Sequence, residues 1–410
     1  MCFFFFLAML AKVFAAPMTL EDSFMAAKKN MESIKRSESM LKQSLERKRQ
    51  AVATLLPTIR AVGNETRIDK PSSPTINKAF VLTRQYSAAL RLEQPLIRGG
   101  SYSALKLREE EVLLNEFYQS FQEITLYQLV IRAYFDVIKA QADLESLKEL
   151  LTLSEARERE LRNLASLGRS RKTELVQAEA QTLGARAQIK QGTIFLNEAK
   201  EDLSFLTGTT VENLQGLKDL PEKIDGINFY LQKLDYRPDI LAKNQEVRVA
   251  EHKTAVMKGG HYPSADLVGN YYFDRTGILQ TSEWDVGVVV SIPLFQGGSV
   301  SSQIREALEA KRTAELNRVE FNRSAKRDLS VLYYNYHELH SQLDILKSAV
   351  KKSQEAYNLN LKDYRLGQIT NLEVLQSLNL YMETKRNYQN ILVDTHYHLK
   401  NLEASVGVHP

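Results

Sequence analysis

Residues 364–376 read YRLGQITNLEVLQ, and 199 positions earlier residues 165–177 read ASLGRSRKTELVQ. Leu-Gly, an acid six places after the glycine and a glutamine nine places after it recur in register: Leu167, Gly168, Glu174 and Gln177 against Leu366, Gly367, Glu373 and Gln376. A glycine between two long helical patterns marks a left-handed helix stop. Each stretch therefore reads as the turn of a helical hairpin. The same offset of 199 relates LSFLTG ending at Gly208 to LEASVG ending at Gly407. Pro95-Leu96 with Gly99-Gly100 returns as Pro293-Leu294 with Gly297-Gly298 at an offset of 198, and LLPTIRAVGN aligns with HYPSADLVGN around Pro57 and Pro263 at 206. A duplication whose register drifts only in loops is one structural unit used twice.

Breakers set the lengths. The chain has only ten prolines in 410 residues, none between Pro95 and Pro221 or between Pro293 and Pro410. Helix interiors tolerate proline poorly, so such gaps predict long helices. They run over 101–167 and 299–366, roughly 100 Å each at about 1.5 Å per residue. Returning helices follow at 170–206 and 369–405. A leading helix opens each half, over 19–53 and about 238–258, where it could stack end to end on the returning one. Alternating charge along these helices predicts coiled-coil packing with two wet faces.

Between leading and long helices the period changes to two. Strands are predicted over about 57–68, 79–94, 263–274 and 283–294. Tyr86, Ala88, Leu90 and Leu92 alternate with Gln85, Ser87, Arg91 and Glu93, as Trp284, Val286, Val288, Val290 and Ile292 do with Asp285, Gly287 and Ser291. Both apolar faces end at an aromatic, Tyr86 or Trp284, as a membrane-interface girdle does. Each run has the nine to eleven or so residues that a tilted transmembrane strand needs. An ordinary half-buried sheet is the bland reading of the same alternation. Four strands cannot close a barrel, and sheet edges are not tolerated in lipid, so a membrane role requires several copies. Two would give eight strands and a filled interior, three would give twelve and a lumen. At the corners, proline ends the strand, Gly-Gly turns the chain, and Ser101 or Ser299 is expected to cap the helix.

Composition narrows the class. Phe3 to Leu10 is apolar and small residues precede a cleavage position after Ala15, so residues 1–15 are read as a secretory signal. The only cysteine, Cys2, would leave with it, and thiol or metal-thiolate chemistry with Cys2. A net charge of +4, with acids interleaved among the bases, gives no nucleic-acid footprint. No Walker lysine or Rossmann acid follows the glycines. His337 and His340 lie in H-E-L-H, which is not the zincin spacing, and His396 and His398 alternate on a helix without sharing a face. No enzyme, cofactor or metal is expected.

The order helix, strand pair, PLFQGG (residues 293–298), long helix, YRLGQITNLEVLQ and returning helix, present twice and with Arg237 to Ile240 opening the second copy, resembles the outer-membrane efflux protein family, the TolC-like channels. The likeness covers essentially all of the mature chain. It implies a mainly α fold with a β-barrel portion: a homotrimer with a 12-stranded barrel in outer-membrane lipid, continued by a 12-helix tunnel across the periplasm. Residues 16–208 and 238–408 would be the two repeats, and 209–237 an equatorial linker. The tips at Leu167, Gly168, Leu366 and Gly367 would meet a periplasmic adaptor (membrane fusion) protein of an inner-membrane pump, of RND or ABC type. Glu174 and Glu373, with Gln177 and Gln376, would line the constriction. Tyr364 would bond Glu174 of a neighbouring hairpin, whereas Ile369 stands where the family can carry a locking arginine. The expected role is a passive exit duct for efflux or type I secretion, gated at the tips. A non-conducting coiled-coil scaffold is the alternative.

Overall fold

The computed structural model describes residues 17–69, 83–276 and 280–407. The signal at 1–15 and the first residues of the second strand lie outside them. Helices α1 (Leu20–Asn30) and α2 (Glu32–Ala53) lead into β1 (Thr58–Arg67) and β2 (Arg84–Ile97), then α3 (Ser101–Ser166) and α4 (Lys172–Thr207). The short α5 (Ile227–Lys233) precedes α6 (Pro238–Lys258), β3 (Ser264–Arg275), β4 (Trp284–Ser291), α7 (Ser299–Arg365) and α8 (Asn371–Ala404). The fold is mainly helical with one small sheet.

Two expectations need correction. The leading helix does not run unbroken from 19 to 53, because Met31 takes an extended conformation between α1 and α2. The cause is tertiary: the Asn30 amide donates to Thr207 O at 2.5 Å, closing the end of α4. Nor do the serines occupy the cap positions. Gly100 O and Gly298 O accept the first helical bonds, from Ala104 N and Ser302 N, and both glycines have positive φ. Ser101 and Ser299 are already the first helical residues.

The chain divides into two compact units, residues 36–120 with 238–323, and the remainder. Each draws on both repeats. The first holds the sheet, whose order β1-β2-β3-β4 is antiparallel throughout. Its register puts Ile59, Leu92, Gly269 and Val286 in one row and Ala61, Leu90, Tyr271 and Trp284 in the next row of that face. The opposite face carries Arg60, Arg91, Asn270 and Asp285 in a single row, with Arg60 paired to Glu93 at 2.7 Å. Strands β1 and β4 are exposed along their whole length.

In the other unit, Leu20, Phe24 and Ala27 of α1 pack on Leu126 to Ile138 of α3, on Leu203 of α4 and on Val393 of α8. Towards the hairpin turns, Leu150, Ala185, Tyr357, Val374, Leu378 and Tyr381 form a second cluster. Burial of such side chains is worth about 1.5–3 kcal/mol each, so both hairpins are held along their apolar faces.

Candidate functional site

Both hairpin turns are built alike. At the first, Gly168 has φ 70°, its N–H donates to Ala165 O at 3.0 Å, and Arg169 N donates to Leu164 O at 2.8 Å. At the second, Gly367 has φ 75°, its N–H donates to Tyr364 O at 2.9 Å, and Gln368 N donates to Asp363 O at 2.9 Å. This double bond pattern ends a helix where a Cβ would be strained. Leu167 and Leu366, one residue before the glycines, are exposed.

The acids six residues on stand near the start of the returning helices. Thr370 donates to Glu373 Oε2 from its N–H at 2.7 Å and from its hydroxyl at 3.0 Å, and Arg171 N donates to Glu174 Oε2 at 3.3 Å. Both carboxylates thus cap their own helices. Glu373 is exposed and Glu174 half-buried, and both line a cleft of about 990 Å³ between the two turns, together with Glu160, Leu164, Arg169, Tyr364, Arg365 and Ile369. Gln177 and Gln376 are exposed on the second turns of α4 and α8 and do not line that cleft.

Tyr364 of α7 donates to Glu174 Oε2 at 3.1 Å, across the two hairpins of one chain, and Ser170 Oγ donates to the same oxygen at 2.8 Å. Burial pushes the Glu174 carboxyl up, but the bonds from Ser170, Tyr364 and the Arg171 N–H outweigh it and hold it below the usual range. Burial, with the nearby Glu174 charge, raises the Tyr364 phenol. Ile369 packs against the second cluster and lines the same cleft, and among the described residues nothing comparable forms around it.

A cation on α3 supplies what the sequence did not reveal. Arg157, 2 % exposed, lies with its guanidinium carbon 3.9 Å from the Tyr364 ring centroid. Its Nε donates to Asn371 Oδ1 at 2.9 Å and its Nη1 to Glu160 Oε2 at 2.8 Å. Asn371, fully buried, donates onward to Glu174 O at 3.3 Å, and Arg365 Nε donates to Glu160 Oε1 at 3.1 Å. Glu160 is raised by burial and lowered more by these two arginines. The one available signal was a charged residue on the buried face of α3 that also carries Leu150, Ser154 and Leu161; Tyr364 and Asn371 lie more than 200 residues away in sequence.

The strand corners differ between repeats. A Cβ on Gly99 would lie 2.3 Å from Gly259 O, and one on Gly259 would lie 2.4 Å from Gly100 Cα, so the first corner is seated on the end of α6. Around Gly297 and Gly298 nothing lies within 4 Å of the Cβ position. Beside them Leu294 and Phe295 are 93 % and 88 % exposed. Pro95 pairs with Asp266 at the foot of β2, Pro293 follows the end of β4, and Tyr86 and Trp284 are exposed.

Among the described residues, no group of three or more histidine, cysteine or acidic side chains is placed to hold a metal. His337 Nε2 lies 3.0 Å from Tyr333 Oη, and His340 stacks on Tyr336. His396 stacks on Phe135, where burial lowers it to about 4, and burial also lowers His398. Among the described residues, no helix is long and apolar enough to cross a membrane.

Comparison with known proteins agrees with this architecture. The profile of a family described as "Outer membrane efflux protein" matches residues 25–209 and 230–408. The outer membrane protein TolC of Vibrio cholerae serotype O1 is 22% identical over 334 residues, covering 78% of this chain and 76% of TolC. TolC of Escherichia coli K12 is 24% identical over 348 residues, covering 78% and 69%. The outer membrane channel CmeC of Campylobacter jejuni superposes with a TM-score of 0.83 at 17% identity, over 95% of this chain and 85% of that one.

Proposed function

This chain belongs to the outer membrane efflux protein family, an efflux and secretion duct of the cell outer membrane with a long periplasmic extension, and from that premise we propose that three copies close a ring. Each contributes four strands to a 12-stranded barrel and four helical columns to a tunnel. Substrate handed over by an inner-membrane pump and its periplasmic adaptor would pass through it without further energy input. The adaptor would meet the exposed Leu167 and Leu366 beside Gly168 and Gly367. The tip would be the gate, with Glu174 and Glu373 in its constriction and Tyr364 holding the hairpins together.

The observation that carries this reading is the half-finished sheet. One face is apolar across all four strands and the other polar, yet β1 and β4 each keep an unpaired edge. Open edges are not tolerated in lipid. The unseated corner points the same way: Gly297-Gly298 lacks the helix end on which Gly99-Gly100 rests. A second copy offers one, the end of α2. A groove of about 520 Å³ lined by Gln50, Ala53, Leu56 and Arg60 is open there for Leu294 and Phe295. The non-conducting scaffold gains nothing from such a sheet.

The repeat also gives the register of closure. Leu92 opposite Gly269, carried over by the offsets of 198 and 206, sets Val290 opposite Gly63 of the next copy. Both stand on the apolar face. Paired strand positions lie about 4.5–5.5 Å apart, within disulfide range, and a Cβ on Gly63 meets nothing within 4 Å. In a Cys2→Ser background, Gly63→Cys with Val290→Cys should give a covalent trimer on oxidation. Uncross-linked monomer from membranes that contain the protein would refute the ring.

A further inference from the structure

We infer that Arg157 is a positioning residue of the tip: it holds Tyr364 and Asn371 against the first hairpin, so that the phenol meets Glu174 and the second hairpin stays closed. This rests on reading the tip as a gate. Arg157 touches both arms of the second hairpin at once, Tyr364 near the end of α7 through its π face and Asn371 at the start of α8 through Nε. Its counter-ion Glu160 lies one turn on along the same helix and also takes Arg365 from α7. When the hairpins part, the Arg157–Glu160 pair travels together. What is lost is the hydrogen bond to Asn371, the ring contact and the Arg365 bond. A guanidinium alone can serve two acceptors and a ring in one plane and its perpendicular. The third nitrogen, Nη2, is buried without a hydrogen-bond partner, which is tolerated only where the other contacts fix the group.

The repeat makes the placement one-sided. At the offset of 199, Arg157 is replaced by Ala356, Glu160 by Leu359, Tyr364 by Ala165 and Asn371 by Lys172. The junction of this chain's own two hairpins therefore carries a latch that the repeat-equivalent junction, from α7–α8 to the next copy's first hairpin, lacks. In this chain the seam within a protomer is the tied one.

Single-channel recording of the purified protein in planar bilayers tests this through the ratio of open to closed time. Tyr364→Phe and Arg157→Met should each raise the ratio about tenfold, a loss of about 1.4 kcal/mol. The double variant should exceed the larger single effect by no more than about twofold, because the phenol is already released when Arg157 goes. Arg157→Lys keeps the charge and loses the fork, and should behave as Arg157→Met. Arg162→Met, which removes pairs to Glu158 and Glu179 within the first hairpin, should match the wild type. If Arg157→Met does not assemble, Asn371→Ala and Arg157→Lys carry the same cycle with Tyr364→Phe. Multiplicative effects near a hundredfold, full rescue by lysine, or a response to Tyr364→Phe with none to the Arg157 variants overturns the inference alone. No response to either Tyr364→Phe or Arg157→Met overturns the gate itself, and the inference with it.

Discussion

At the residue scale, the acids after the tip glycines have two tasks that a single substitution can separate. Glu373 uses Oε2 to cap α8 through Thr370. Glutamine at the same helical position caps as well as glutamate. Glu373→Gln should therefore leave α8 intact while lowering cation preference and divalent block in bilayer conductance, if the acid lines the constriction. Unchanged selectivity would confine Glu373 to its capping role. Glu174 adds a pH dependence. Its folded-state pKa lies below the ordinary 4.5, so its contribution is complete above that value and is lost as pH falls through the lower, folded one. The closed-state leak should stay flat from neutral pH to about 4.5 and rise below it. In Glu174→Gln, a leak rising over the same range would assign the effect to another carboxylate.

At the element scale, glycines that look alike in sequence separate into three kinds. Gly168 and Gly367 end helices at positive φ. Gly259 is required by contact: its Cβ would meet backbone of Gly100, which cannot yield as a flexible side chain would. Gly287 in β4 has open space around its Cβ position. Gly259→Ala should lower the thermal midpoint of the assembled protein by the equivalent of about 2 kcal/mol or more, in the range of overpacked sites. Gly287→Ala should be neutral or slightly stabilising, since glycine weakens a strand interior. Equal melting curves for both would dissolve the distinction.

That contrast also shows what a sequence makes legible. Helix and strand periods, the two turns and the corner glycines depend on neighbours within a few residues; apart from the start of the second strand, expected at about 79 and found at Arg84, they stand within about three residues of where the periodicity puts them. The break at Met31 depends on Asn30 reaching Thr207, and the tip network on Arg157 reaching Asn371, 214 positions away. Such contacts follow from packing of remote helices and leave no local period. Tyr364 and Glu174 could be paired through the repeat and a family resemblance. The buried arginine had neither guide.

At the scale of the whole molecule, neither repeat is a domain: both compact units take segments from each half. Under the proposed ring, assembly and membrane insertion would meet in the sheet unit, whose apolar face is exposed while its polar face carries Arg60, Arg91, Asn270 and Asp285. Val288 and Val289 are adjacent, similarly exposed, and on opposite faces. If the ring forms, Val288 faces lipid and Val289 the lumen. Arginine at mid-depth on the lipid face costs about 2–4 kcal/mol per chain, and on the lumen face far less. With three copies the penalty for Val288→Arg is tripled in one assembly, enough to drain the trimer from the outer-membrane fraction. Val289→Arg should reach the membrane in near-normal amount and change conductance instead. Equal recovery of the two as trimer would mean that neither face meets lipid, and the open sheet edges would then need a soluble partner.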